Sequence, residues 1–515
     1  MAMTVCARRR KHSLILFAML LIIAGAAAAV TGWTDTFKLG SPVKVSGRSP
    51  FINCTADNPA SQPGTPITNS EVEPRLAVNP KNTSNLVAVW SQDFWTGPSN
   101  GSRGEVAGVS FDGGKSWQDV VIPGITLCSR GSAARSADSW LTFAPNGDLY
   151  HTALGLGVAN DPMTLLVSKS TDAGLNWGPV TTLEDDTGTT NFPDKDSTTA
   201  DPADPKMVYV VWTRFHFVPG GPNTGLAMFS RTVDGGQTWD PPRAIFDPGA
   251  NNLTHYHQIV VLPDGTLVDF FTELIQTTVQ NGLAHYKYIL SAIRSQDRGV
   301  TWLPAPAPIP IAEVAVCPPQ TYPNPCVIDP ESGQVIQNPP DLFDVAVDPG
   351  NGNLYVAWTD GRFSNFQNNS IAFSMSKDGG FTWSAPIKIN KTPTNIAPGN
   401  QQAFGSAVHV APDGTIGFAY YDFRFNDPSP GLLTDYWLVH CHPNTNCADP
   451  ANWRDENRLT SASFDIEKAV VNITRLFVGD YQGTTADGGD LLSVWAQPHG
   501  TDPDSVFFQR VRVSK

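Results

Sequence analysis

The chain has 515 residues, of which 41% are hydrophobic and only 16% charged, with 44 glycines and 43 prolines. That composition excludes a disordered acidic chain and a helix-rich coiled coil. The net charge of −14, from 34 basic against 48 acidic residues, argues against a nucleic-acid partner, whose phosphates need clustered lysine and arginine.

At the amino terminus, Arg8, Arg9, Arg10 and Lys11 precede an apolar run from Ser13 to Gly25 and the small residues Ala26 to Ala29. The order is that of a secretory signal peptide over residues 1–29. The alternative is an uncleaved membrane anchor, because the apolar stretch approaches the roughly 20 residues that span a bilayer. Residues 30–70 form an extension, and a strand near Phe37 to Val45 is placed to complete the last sheet. The main domain is expected over 71–515. Six cysteines remain after the signal, an even number that suits an oxidising compartment. The spacing pairs Cys317 with Cys326 and Cys441 with Cys447, leaving Cys54 for Cys128. Buried reduced thiols are the alternative. A metal site is not expected, since there is no Cys-x-x-Cys and His440 and His442 flank a single cysteine.

Along the chain, five segments share the pattern Ser/Thr-x-Asp-x-Gly-x-x-Trp: Ser110–Trp117, Ser170–Trp177, Thr232–Trp239, Ser295–Trp302 and Ser376–Trp383. The chemistry is that of a tight hairpin turn. The carboxylate accepts from amides of its own turn, glycine takes a positive φ, and tryptophan anchors the turn on neighbouring strands. The aspartates, 112, 172, 234, 297 and 378, are spaced by 60, 62, 63 and 81 residues, so the last interval holds an insertion. Between the turns a second hairpin recurs, an apolar strand, a polar turn and a strand rich in Val, Tyr and Trp. Its copies are Leu76–Trp90, Ser139–Thr152, Thr198–Trp212, Gln258–Phe271, Leu342–Trp358, Ala407–Tyr420 and Gly483–Trp495. An inner and an outer hairpin make a four-stranded unit, and such a unit repeated about an axis is a β-propeller blade. The expectation is an all-β propeller of seven blades, with six as the alternative.

These aspartate-centred turns on consecutive four-stranded blades resemble the sialidase (neuraminidase) superfamily over roughly residues 70–510. The resemblance implies a secreted, monomeric glycoside hydrolase without a cofactor, acting on an acidic glycan in a central pocket. In that family arginines clamp the substrate carboxylate, a tyrosine activated by a glutamate attacks the anomeric carbon, and an aspartate is the general acid/base. Carried over by position, Tyr481 in GDYQG is similar to the nucleophile, Glu273 to the activating carboxylate and Asp93 to the acid. Arg75 takes the place of the first arginine of the clamp, and Arg214, Arg362 and Arg424, with Asp360 and Asp422, complete the binding groups. The Pro74-Arg75-Leu76-Ala77 sequence departs from the family's Phe/Tyr-Arg-Ile-Pro segment. Asp360 with Arg362 and Asp422 with Arg424 also read as ion pairs between blades. A lyase using Tyr256, His255 or His257 and a non-catalytic glycan-binding or adhesion propeller are the other readings. There is neither a Gly-x-Ser-x-Gly elbow nor a phosphate-binding GxxxxGK[ST] loop.

Overall fold

The computed structural model describes residues 38–97, 100–158, 161–188, 190–280, 282–303, 307–316 and 327–512. Runs such as LVAVW (86–90), VYVVW (208–212) and LYVAW (354–358) are apolar on both faces, the composition of strands covered on both sides. They lie inside antiparallel sheets, and Trp90, Trp212, Trp358 and Trp495 are fully buried. Among the described residues, seven four-stranded groups follow one another, with innermost strands Glu71–Val78, Arg135–Phe143, Asn191–Ala200, Leu253–Val261, Phe343–Val347, Ala403–Val410 and Gly483–Asp487. Isolated bridges, Ser102 to Ser136 and Gly225 to Leu253, join neighbouring units.

The innermost strands pack in succession, first against second through to seventh against first. The apolar core is divided in the same way. Leu492, Val494 and Phe508 of the seventh unit cluster with Leu86, Ala88 and Trp90 of the first, while Leu154 and Val167 of the second meet Val208 and Trp212 of the third. Each unit thus buries a face that it could not bury alone. The last strand, Asp502–Arg512, pairs with the amino-terminal strands Lys38–Leu39 and Val43–Lys44, Lys38 opposite Arg512 and Val43 opposite Phe508. The seventh sheet is therefore assembled from both ends of the described chain.

All five Ser/Thr-x-Asp-x-Gly-x-x-Trp segments close hairpins. In the first, Asp112 accepts from the amides of Lys115 and Ser116 at 2.9 and 3.0 Å and from the Ser110 and Ser116 hydroxyls. These bonds, led by that from the Ser116 hydroxyl, hold its pKa down to about 2. Gly114 has φ 88°, and a Cβ there would come 2.2 Å from the Phe508 ring. The turn of one unit thus leans on the unit before it, as Trp302 leans on Phe229 at 5.5 Å.

Disulfides join Cys54 to Cys128 and Cys441 to Cys447. Cys317, Cys326 and residues 1–29, expected to be a signal peptide, lie outside the described residues. Among the described residues no helix is long and apolar enough to cross a membrane. The disulfides fit an extracellular protein.

Candidate functional site

At the start of five innermost strands the register against the second strand slips: between Val72 and Arg75, Ala137 and Trp140, Asp194 and Ser197, His255 and Gln258, and Phe404 and Ala407. Each slip is a bulge with one residue in the left-handed region, namely Glu73 (φ 59°), Asp138 (57°), Lys195 (51°), Tyr256 (58°) and Gly405 (63°). A bulge re-aims the side chain it carries, and positive φ at a residue other than glycine costs about 1–3 kcal/mol, a strain that gathers at functional sites. Glu73, Asp138 and Lys195 line a cavity of about 470 Å³ together with Asp194, His255 and Asp480, with Phe94, Phe192 and Phe477 as apolar wall.

Lys195 is the hub. Its ammonium donates to Asp138 Oδ1 at 2.9 Å and Asp480 Oδ2 at 2.7 Å and lies 3.8 Å from Glu73 Oε1. The surrounding carboxylates, against the cost of its burial, hold its pKa well above the ordinary lysine value. Two carboxyls on this ammonium are driven apart. Glu73 is pushed well up by burial and by the negative charges of Asp138 and Asp480, which outweigh Lys195. Burial also works against an ionised Asp138, but Lys195 and the hydrogen bonds from Lys195 and Tyr481 outweigh it, and its carboxyl stays below the usual range. Beside them His255 sits between Asp341, bonded to Nδ1, and Asp194, 3.3 Å from Nε2. Burial lowers its proton affinity, yet the two carboxylates prevail and lift its pKa to about 10, so it is an imidazolium.

Below this polar layer lies a plug. The Arg75 guanidinium stacks on Trp140 at 3.4 Å from the ring centroid and on Tyr481 at 4.8 Å. It donates to the Tyr256 hydroxyl at 2.8 Å and the Gln482 carbonyl at 3.3 Å, and lies 3.6 Å from Asp344. Arg75 is buried beneath the floor rather than on the cavity lining.

The sequence-expected residues divide sharply. Tyr481 belongs to this cluster, its hydroxyl donating to Asp138 Oδ1 at 3.0 Å; burial and the charges of Asp138 and Glu73 keep the phenol protonated. Glu273, expected beside Tyr481, instead accepts from the Ser291 hydroxyl at 2.6 Å on the neighbouring strand of its own sheet. Asp93 accepts from Ser49, Gln92 and the Asn69 amide and fastens the amino-terminal extension. Arg214 pairs with Glu184 and Asp186 of the preceding unit. Arg362 pairs with Asp360 and donates to the Glu313 carbonyl of the preceding unit. Arg424 bonds Asp422 and Glu456 and stacks on Trp437 at 3.6 Å. None of these three arginines is on the cavity lining, where the arginine among the described residues is Arg475. His257, between Asp269 and Thr254, is equally occupied.

Glu73, Asp194, Lys195 and Asp341 were not singled out from the sequence. A partial signal for the bulges is present: Glu73, Asp138, Tyr256 and Gly405 each stand three residues before an apolar strand residue, Leu76, Leu141, Ile259 and Val408, whereas Thr198 takes that place after Lys195. Their side chains differ, so no motif in the ordinary sense marks them.

No protein-family model matches the chain, and no curated protein matches it. Among solved structures it is similar to a protein of unknown function from Dyadobacter fermentans, at 14% identity and TM-score 0.46, covering 88% of this chain and 97% of that one. It is similar also to the α-L-arabinofuranosidase Arb93A of Fusarium graminearum, at 10% identity and TM-score 0.44 over 93% and 99% of the two chains. A third is the Hadza microbial sialidase Hz136, at 16% identity and TM-score 0.45 over 84% and 75%.

Proposed function

We propose that this chain is a secreted, seven-bladed propeller that hydrolyses glycosidic bonds in the cavity lined by Glu73, Asp138, Lys195 and Asp480. The observation that carries the reading is the meeting of two buried carboxyls on one ammonium, Glu73 at 3.8 Å and Asp138 at 2.9 Å from Lys195 Nζ, where burial pushes Glu73 up and Lys195 holds Asp138 down. That is the division of labour between acid and nucleophile in glycoside hydrolysis. Glu73 gives its proton to the glycosidic oxygen as that bond to the anomeric carbon breaks, and Asp138 attacks the carbon to form a glycosyl ester. Water deprotonated by Glu73 then cleaves the ester, restoring both carboxyls. A common ammonium keeps the pair close together, which suits the retaining geometry.

In this reading Tyr481 is a positioning residue that orients Asp138, and Glu273 and Asp93 serve structure. The substrate is a neutral glycan rather than the acidic one expected from the sequence. Lys195 and His255 on the lining are engaged by Asp138, Asp480, Asp194 and Asp341 rather than held ready for a sugar carboxylate, whereas Phe94, Phe192 and Phe477 offer faces for sugar C–H groups.

The test is turnover on aryl glycosides that include neutral pentosides, neutral hexosides and a sialoside. A neutral glycoside should be cleaved with retention, and Glu73→Gln and Asp138→Asn should each lower kcat by about 10²–10⁴. Because Glu73 titrates well above the ordinary glutamate range, activity should persist past that range and fall on an alkaline limb that Glu73→Gln abolishes. Unchanged turnover in Asp138→Asn, or a preference for the sialoside, would defeat the assignment. Saturable binding without product would favour the glycan-binding alternative.

A further inference from the structure

The sixth sheet ends in a cluster that the cavity does not use. Its third strand, Leu433–Cys441, runs into His442, and its fourth, Asp455–Arg458, returns antiparallel with Asp455 opposite His440. His440 and His442 are two residues apart, so an extended chain places both on one face. Their rings meet edge-on, with centroids 4.9 Å apart and an interplanar angle of 87°. Both Nε2 atoms lie 3.5 Å from the same atom, Asp455 Oδ2, and the three ligand atoms are all within 4.8 Å of one another.

That separation is long for an N–H···O hydrogen bond, which favours roughly 2.7–3.2 Å. It matches the edge of a coordination tetrahedron, since two donors each about 2.1 Å from one ion stand about 3.4 Å apart at the tetrahedral angle. The scaffold is held on two sides. The Cys441–Cys447 disulfide fixes the residue between the histidines to the far side of the loop, and Trp453 Nε1 donates to the Cys447 carbonyl at 2.9 Å, tying the loop to the approach of the fourth strand. The His440 side chain is fully buried while that of Asp455 is 45% exposed, so the cluster is rigid within and open to solvent on one side.

We propose that His440, His442 and Asp455 bind a borderline divalent transition ion, zinc by donor set, with water in the fourth position at the outer edge of the sixth sheet. Two imidazoles and a carboxylate are a zinc ligand set, and copper(II) and nickel(II) suit the same nitrogens. The ion would clamp the third strand to the fourth and hold the disulfide loop. The cysteine-poor spacing concealed the site, because the third ligand comes across the sheet and not along the chain.

Chelator-stripped full-length protein titrated with Co²⁺ should take up one equivalent with the visible d–d spectrum of a four-coordinate ion. Zn²⁺ should displace it and raise the melting temperature. His442→Asn and Asp455→Asn should each weaken Co²⁺ binding by at least ~10-fold while leaving the metal-free melting temperature near that of the parent. Both ligands are partly exposed, so these variants stay informative even where His440→Asn fails to fold. Absence of saturable Co²⁺ binding in the micromolar range, an octahedral spectrum, or binding unchanged in either variant would overturn the site.

Discussion

The two ends of the sheets are built on opposite principles. At the end that carries the aspartate turns, each of the five turns satisfies its own polar groups, although its apolar side leans on the unit before it. Asp112 and Asp378 each bind amides and hydroxyls within four residues, and five copies repeat the solution. At the bulged end no unit is complete. Lys195 comes from the third sheet, Asp138 from the second, Glu73 from the first and Asp480 from the approach to the seventh, and only their meeting gives the buried ammonium its counter-charge. The first kind of order is local and additive; the second is shared, buried and strained.

The sharpest way to break this contrast is Lys195→Met. It removes the ammonium from three buried carboxyls, and losing one partner of such a network costs about 3–5 kcal/mol. Urea unfolding should show this loss, partly recovered by adding Asp138→Asn, since the two changes act on one network. A loss within the ±0.5 kcal/mol of ordinary surface substitutions would mean that the cluster is not the electrostatic unit described here.

Asp378→Ala should cost less, about 1 kcal/mol, the scale of a lost side-chain cap. The amides of Phe381 and Thr382, which the carboxylate accepts at 3.0 and 2.9 Å, lie at an exposed turn where water replaces it. Combined with Asp112→Ala, the two losses should add within about 0.5 kcal/mol, because the turns share no partners. Strong coupling between them would erase the distinction between the two ends.

The same contrast explains what the sequence could convey. The turns were legible because the residues that make each one are contiguous, and the seven inner hairpins because a strand buried on both faces must be apolar along its length. Tyr481 was found by its segment, and His255 only as a candidate of the lyase reading. Glu73 and Lys195 were not, because a bulge shifts register by one residue and turns outward what alternation would bury. The arginines were open to two readings for a related reason. WTDGR and YYDFR read both as binding groups and as ion pairs between blades, and in three dimensions Arg362 and Arg424 pair with carboxylates of their own sheets.

Arg362 therefore supplies the smallest and most discriminating test. As a substrate clamp its loss should raise KM greatly. As a pin between units it should leave KM and kcat within about twofold and cost about 0.5–1 kcal/mol, the upper range for a partly exposed ion pair. The stability cost stays low because Asp360 keeps its other donors when the guanidinium is gone. Trp358 Nε1 donates to it at 2.7 Å, the Arg362 backbone amide at 2.9 Å and the Ala315 amide at 3.1 Å. Arg362→Ala thus separates the site expected along the chain from the site that the bulges assemble: a large rise in KM restores the former, and unchanged kinetics with a slight loss of stability leaves the bulged strands as the place where the chemistry occurs.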